Sequence, residues 1–218
     1  MTESMSGGSP AGGYPVQFSV AYPDRDLNRL TTAFRLIVGI PIVIVAGTLG
    51  GHESFASGRG DDWTVAAGTG GLLFLGPLVM ILFRQKYPRW WFDWNLELLR
   101  FSNRIGVYLA LMDDHYPSTD EGQSVALEFP YPDARQGLNR WLPLVKWLLA
   151  IPHYLILIFL WLASLVAVIV AWFAILITGR YPRGLFDFVE GTIRWTNRVV
   201  GYAFILVTDK YPPFSLSA

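Results

Sequence analysis

The stretch GRYPRGLFDF, residues 179–188, has a counterpart earlier in the chain, QKYPRWWFDW at 85–94. Each contains Tyr-Pro-Arg, followed at the same distance by Phe-Asp. Four more blocks recur in the same order: YPDRDLNR (22–29) with YPDARQGLNR (131–140), GIP (39–41) with AIP (150–152), SNRIGVY (102–108) with TNRVVGY (196–202), and DHYP (114–117) with DKYP (209–212). Chance does not readily produce five matched blocks in one order, so we interpret the chain as a tandem duplication of a unit of about 100 residues.

The 218-residue chain is strongly apolar for its length. Hydrophobic residues make up 52%, and the mean hydropathy is +0.36. The formal net charge is zero, so bulk charge predicts no nucleic-acid partner. Three apolar stretches stand out as membrane segments, Leu36–Leu49, Trp63–Phe83 and Trp147–Thr178, because a transmembrane helix needs ~20 apolar residues. The sequence therefore predicts a mainly α-helical integral membrane protein.

The third apolar stretch, extended back to Trp141, allows two interpretations. It has room for two tightly connected helices, or for one long tilted helix preceded by an interfacial segment. No Gly or Pro between Tyr154 and Ile177 marks a turn. The repeat nevertheless favours two helices with a turn near Leu160–Ser164, because the first copy has two apolar stretches separated by the insert at 50–63.

These observations divide the chain into four parts. They are a disordered N-terminal tail (1–13), repeat 1 (14–117), a linker (118–124) and repeat 2 (125–218). Each repeat is predicted to form a transmembrane helical hairpin and then an interfacial amphipathic helix: spans at about 30–49 and 63–83 with a helix at 88–104, and spans at about 141–160 and 162–178 with a helix at 182–198.

The distribution of positive charge predicts the topology. The 50–63 loop contains only one of the 17 Lys and Arg residues, Arg59. Cytoplasmic segments carry the excess of Lys and Arg, so the other side is predicted to be the cytoplasm, with both termini on it. The two repeats then share one orientation and are related by an axis along the membrane normal.

A charged stripe follows each Tyr-Pro-Arg. Its members recur three or four residues apart, which places them on one face of a helix: Arg89, Asp93, Glu97, Arg100 and Arg104 in the first copy, and Arg183, Asp187, Glu190, Arg194 and Arg198 in the second. Aromatic and apolar residues fill the other faces, as in helices at the membrane interface. Pro88 and Pro182 suit the first helical turn.

Two interpretations of these stripes remain open. In one, the stripe merely faces cytoplasmic water. In the other, the two helices bind anionic lipid headgroups or a protein partner. The candidate binding residues are Arg89, Arg100, Arg104, Arg183, Arg194, Arg198, Trp90, Trp91, Trp94 and Trp195.

Two short segments alternate apolar and other residues with the period of a β-strand. They lie at Val16–Tyr22 and Val125–Tyr131. We expect short β-strands there, which can pair in a small cytoplasmic layer.

Few residues suggest chemistry. His153 is an ionisable group within a predicted span and hence a functional candidate, although a neutral, hydrogen-bonded structural role is the simpler interpretation. His52 lies in the acidic 50–63 loop, where no metal-ligand spacing recurs. Asp113 and Asp114 flank His115, and a loop cap explains them best. Arg35 and Lys146 are expected to extend to the membrane surface. We predict no catalytic residue, metal or cofactor.

The segments AWFAILITGRYPRGLFDFVEGTIRW (171–195) and VKWLLAIPHYLI (145–156) resemble a bacterial membrane-protein family catalogued as domain of unknown function 4389. The second copy resembles it best, and the first more loosely. Thr178-Gly179 is replaced by Arg84-Gln85 there, and Gly191 by Glu97. The resemblance implies a protein of the bacterial plasma membrane and brings no known activity.

Three functions follow as hypotheses. The first is a non-enzymatic accessory or scaffold subunit, which binds membrane lipids and either other membrane-protein subunits or a second copy of itself. The second is a small transporter or channel built from duplicated two-span units. The third is a lipid-modifying enzyme using Asp93 or Asp187, which are more simply paired with Arg89 and Arg183 one helical turn away.

Overall fold

The structure is a computed structural model that describes residues 13–50, 69–118 and 123–217. Four predicted segments lie outside these residues in whole or in part: residues 51–63 of the loop with His52, residues 1–12 of the tail, most of the linker and the start of the 63–83 span. The described part contains six helices and two strands: β1 (Gln17–Val20), α1 (Arg29–Gly50), α2 (Thr69–Arg84), α3 (Arg89–Leu109), β2 (Val125–Glu128), α4 (Pro143–Leu149), α5 (Ile151–Thr178) and α6 (Arg183–Ala203).

The two predicted strands pair with each other. β1 and β2 form an antiparallel two-stranded sheet in which Phe18 lies opposite Leu127. These two residues occupy corresponding positions in the two sequence repeats. Both are buried, whereas Gln17 and Glu128 on the other face are exposed. The period-two pattern is thus confirmed, with one face in the core and one in solvent.

The apolar stretch at 141–178 does not form two transmembrane helices, so the predicted spans 141–160 and 162–178 are wrong. α5 continues from Ile151 to Thr178 without a turn near 160–164. The break lies earlier, at Ala150 between α4 and α5. Pro152 explains it, because proline is tolerated in the first turn of a helix and disrupts a helix that continues from before it. The structure therefore corresponds to the alternative of one long helix preceded by a short one.

Both helices that follow Tyr-Pro-Arg are confirmed as helices. α3 and α6 begin directly after Pro88 and Pro182, which have extended backbone conformations. Each runs several residues beyond its predicted end. α5 ends at Thr178 and is capped by Gly179, whose left-handed φ of 81° suits glycine at a helix C-terminus.

α6 folds back along α5 as an antiparallel helical hairpin. Residues with lower numbers in α5 contact residues with higher numbers in α6. Ser164 contacts Thr192 at 3.1 Å, Trp161 contacts Thr196 at 3.2 Å, and Leu157 belongs to the same apolar cluster as Val199. α1 contacts α3 in a related way, since Ile42 clusters with Phe101 and Ile105. The charged helices therefore lie side by side with the apolar helices.

Candidate membrane and partner surfaces

α1 and α5 present an extensive apolar surface to the outside of the molecule. Among the described residues, two segments have the length and composition to cross a membrane, Arg29–Gly47 and Ile151–Thr178. Only 22% of the most apolar window of each is buried. The core helix of a soluble protein would be mostly buried, whereas these two segments are mostly exposed in the described part of the chain. Their largest exposed side chains include Leu30, Phe34, Leu36, Ile37, Ile44, Leu155, Ile158, Phe159, Leu162, Leu165, Phe173 and Ile177.

Four arginines of the charged stripes bind the chain itself. Arg100 Nε donates to the carbonyl oxygen of Leu127 at 3.0 Å, and Arg194 Nε donates to that of Phe18 at 2.8 Å. Arg104 donates to the Ser118 carbonyl, and Arg198 donates to the Ser215 carbonyl. These guanidinium groups hold strands and loops, which argues against headgroup binding by the second half of each stripe.

The strand contacts cross between the two halves of the chain. Arg100 of the first half binds β2 of the second half, and Arg194 of the second half binds β1 of the first. Two tyrosines repeat this pattern, because the Tyr22 hydroxyl donates to the Tyr181 carbonyl and the Tyr131 hydroxyl donates to the Tyr87 carbonyl. Residues at corresponding sequence positions thus make the same contact in opposite directions.

Two corresponding asparagines bind each other directly. The Asn103 amide donates to Asn197 Oδ1 at 2.9 Å, and the Asn197 amide donates to Asn103 Oδ1 at 2.7 Å. Both side chains are buried. A reciprocal contact between corresponding residues arises where a two-fold axis passes between them.

The exposed part of the first stripe carries an aromatic patch, formed by Arg89, Trp90, Asp93 and Trp94. Trp90 is 69% exposed and Trp94 is 42% exposed. Arg89 lies over the ring of Tyr131, 5.3 Å from its centroid. Large exposed aromatic side chains beside a cation are typical of protein interfaces and of the membrane interface.

The corresponding part of the second stripe lacks the two tryptophans. Gly184 stands at the position of Trp90, and the partly buried Phe188 at that of Trp94. Arg183 pairs with Asp187 at 3.2 Å, as predicted. The other two candidate tryptophans face inward: the Trp91 ring lies against Gly76, and Trp195 is buried against His153.

Arg35 and Lys146 do not extend to the surface, so that prediction is wrong. Both are buried and form ion pairs at corresponding positions, Arg35 with Asp114 and Lys146 with Asp209 at 2.6 Å. Arg35 also donates to the Asp113 carbonyl, and Lys146 to the Thr208 carbonyl. The repeat contained a signal for this pairing, since Arg35 and Lys146 each stand six residues before the proline of GIP or AIP, and the two aspartates open the matched blocks DHYP and DKYP.

His153 is enclosed by aromatic rings. Its Nδ1 lies 3.0 Å from Trp195 Nε1, which donates to it. Phe214 stacks on the imidazole with 4.1 Å between ring centroids, and Tyr211 lies 4.9 Å away. Since the indole N–H is only a donor, Nδ1 is an acceptor in this contact. The structure thus places His153 in a packed aromatic cluster between α5, α6 and the C-terminal segment.

The carboxylates beside His115 stabilise a loop. Asp113 accepts hydrogen bonds from the backbone N–H of His115 at 3.1 Å and from the Ser124 hydroxyl. Burial raises the pKa of Asp113, but these hydrogen bonds outweigh the burial and hold the pKa below its ordinary value. Asp114 accepts from the backbone of Asn28 and pairs with Arg35. Both carboxylates are thus engaged in structure.

Comparison with known proteins gives one match, to the family described as a domain of unknown function (DUF4389), over residues 141–215. The first half of the chain gives no second match, so the predicted resemblance of both copies is confirmed only for the second. The 50–63 insert and Arg84-Gln85 in place of Thr178-Gly179 distinguish the first copy. No curated protein and no solved structure matches the chain.

Proposed function

We propose that the protein is a non-enzymatic scaffold subunit of the bacterial plasma membrane, formed by two tandem repeats. Its apolar helices anchor it in lipid, and the aromatic patch of α3 binds another membrane protein. The observation that carries this proposal is the apolar surface of α1 and α5, most of which the rest of the molecule leaves uncovered. Burying such a surface is favourable by about 25 cal/mol per Å², and the bilayer provides the environment for it.

The contacts between the halves support the duplication. The Asn103–Asn197 pair, the crossing arginine contacts and the facing Phe18–Leu127 pair all relate corresponding residues. Together they fit a pseudo-two-fold arrangement in which each half stabilises the strand of the other.

The distribution of ionisable side chains supports a structural role. Asp113, Asp114 and Asp209 each accept hydrogen bonds or ion pairs from neighbouring segments, and Asp187 pairs with Arg183. The lipid-modifying enzyme would act through Asp93 or Asp187. The pairing of Asp187 with Arg183 favours the scaffold, whereas Asp93 forms no corresponding ion pair with Arg89 in the described part of the chain.

The transporter hypothesis depends on His153, the ionisable group in the longest apolar helix. That imidazole is surrounded by Trp195, Tyr211 and Phe214. A proton or ion relay needs polar or ionisable neighbours along the transport pathway. The aromatic rings around His153 favour a packing role for this side chain instead.

Co-purification from native membranes tests the scaffold. The tagged protein is extracted in mild detergent, and a Trp90→Ala/Trp94→Ala variant is compared with Trp141→Ala/Trp147→Ala. The second variant removes two exposed tryptophans outside the aromatic patch, one before α4 and one within it. We expect a partner protein to co-purify with the wild type and the control, and to be reduced at least tenfold with the patch variant. Recovery of a lone monomer from all three, or equal partner recovery with the patch variant, would contradict the scaffold. A chain absent from the membrane fraction would contradict the anchor.

A further inference from the structure

The antiparallel packing of α5 and α6 restricts how the molecule can sit in a bilayer. The helices stay in contact from Ser164 and Thr192 to Ala150 and Ala203. Whatever orientation α5 has, α6 shares it. A spanning α5 and an α6 that lies in the membrane interface are therefore mutually exclusive.

The sheet lies beside the middle of the α5–α6 hairpin. Ser164 is near the centre of the 28-residue α5 and contacts Thr192. Two residues further along α6, Arg194 holds the Phe18 carbonyl of β1 at 2.8 Å. Gln17, Ser19 and Glu128 point outward from this sheet and are exposed.

An α5 that crosses the bilayer would place this sheet at mid-depth. The sheet presents Gln17, Ser19 and Glu128 on its outer face. Charged side chains bind its edges, Arg194 and Glu190 on β1 and Arg100 on β2, and polar and charged groups of this kind are disfavoured against lipid in the hydrocarbon region. The exposed carboxylate of Glu128 would add the cost of a charge at that depth, where charged side chains are rare and expensive. The crossing orientation is thus strongly disfavoured.

Charged residues mark the ends of the apolar helices. Arg29 begins α1, Arg84 ends α2, Arg140 precedes α4 and Arg180 follows α5, and all four are exposed. Arg180 also pairs with Asp26 at 2.8 Å and Arg140 donates to the Leu82 carbonyl, which leaves Arg29 and Arg84 as the better placed of the four for a lipid phosphate. Cations at the ends of apolar segments reach lipid phosphates while their stems stay in the apolar layer. This complementarity favours a phospholipid leaflet over a second copy of the chain as the occupant of the apolar surface.

We propose that the protein is monotopic: α5 and α1 lie in the plane of the membrane, with their apolar sides in one leaflet and the sheet in water. This inference rests on the membrane anchor proposed above and replaces the crossing topology. The described part of the chain then lies on one side of the bilayer, which agrees with the concentration of Lys and Arg outside the 50–63 loop.

Cysteine labelling distinguishes the two orientations, and the chain has no native cysteine to remove. Three exposed sites serve as probes. Lys210→Cys reports the N-terminal end of α5, because the neighbouring residue Asp209 pairs with Lys146 of α4, the helix directly before α5. Gly184→Cys reports the C-terminal end, where an added Cβ meets no atom within 4 Å. Glu128→Cys reports the sheet. Each variant is treated with a membrane-impermeant maleimide in right-side-out and in inverted vesicles from the native membrane.

The monotopic orientation predicts that all three cysteines react in the same vesicle preparation, with at least tenfold less labelling in the other. A crossing α5 would give a different result: Lys210→Cys and Gly184→Cys would react in opposite preparations, and Glu128→Cys would react in neither. That result would overturn the monotopic orientation and leave the membrane anchor intact. If the protein is instead recovered as a soluble dimer and is found in neither vesicle preparation, a second copy covers the apolar surface. Both the membrane anchor and the monotopic orientation would then be wrong.

Discussion

At the level of single residues, the two halves of the molecule meet in the buried pair of Asn103 and Asn197. Each amide satisfies the other, and each also donates to a carbonyl of its own helix, Asn103 to Leu99 and Asn197 to Ile193. An unsatisfied buried polar group costs about 1–3 kcal/mol. The pair therefore joins α3 to α6 through two buried hydrogen bonds.

Replacing one asparagine tests this contact. We expect Asn103→Leu to destabilise the protein by about 1–3 kcal/mol, because it leaves the Asn197 amide without its partner. Asn103→Leu/Asn197→Leu should cost less than the sum of the two single changes, since neither group is then left unsatisfied. Thermal unfolding in detergent measures the stability of each variant. Asn95→Ala is the control, because the Asn95 amide donates to a carbonyl of its own helix and lies outside the Asn103–Asn197 pair. Strict additivity of the two changes would contradict the coupling.

The buried ion pairs give a second prediction at this scale. Asp209→Asn leaves Lys146 buried with its charge uncompensated, and such changes typically cost about 3–5 kcal/mol. Asp187→Asn breaks the exposed pair with Arg183 and should cost at most about 1 kcal/mol. Chemical denaturation of the two variants compares them directly. Equal stabilities would show that the Lys146 pair is not desolvated.

Single residues also show what the sequence could predict. The matched blocks identify Asn103 with Asn197 and Asp114 with Asp209 as corresponding residues. Whether corresponding residues touch depends on where the axis between the halves passes, and a linear pattern does not contain that position. The arginines illustrate the same limit: their helical spacing is correct, but the strands that accept their hydrogen bonds come from the opposite half.

At the level of elements, the starts of α3 and α6 could be predicted well, because proline fixes the backbone where each helix begins. The continuity of α5 could not be inferred from the first copy, which has an insert where α5 has none. In an uninterrupted run of helix-compatible residues, each further turn adds backbone hydrogen bonds without a new nucleation cost. The residues themselves, with no Gly or Pro between Tyr154 and Ile177, were a better guide than the repeat.

A proline at the centre of α5 tests that continuity. Leu162 is exposed, so its replacement disturbs little packing. We expect Leu162→Pro to destabilise the protein by about 3 kcal/mol or more, because it removes a helical hydrogen bond and clashes with the preceding turn. Leu162→Ala is the matched control and should change stability far less. Helix content and unfolding by circular dichroism measure both. A proline variant as stable as the alanine variant would indicate a turn at 160–164.

At the level of the whole molecule, composition and charge predicted a membrane protein with its cations on one side. The orientation of the helices did not follow from sequence, since a 28-residue apolar segment satisfies the length criterion whether it crosses the bilayer or lies along it. What decides the orientation is tertiary: α6 lies along α5, the sheet lies beside the middle of that hairpin, and their polar groups are disfavoured in hydrocarbon.

The depth of α5 in the bilayer tests this account most directly. Leu155, Leu162 and Ile169 are exposed on α5 at seven-residue intervals and so share a face. Each is replaced by a spin-labelled cysteine in the otherwise cysteine-free chain, and the immersion depth is measured by power saturation with oxygen and a water-soluble relaxation agent in liposomes. We expect the three labels to lie at the same depth within a few Å. A helix that crosses the bilayer rises about 1.5 Å per residue, so depths that differ by about 10 Å between neighbouring labels would contradict the monotopic orientation.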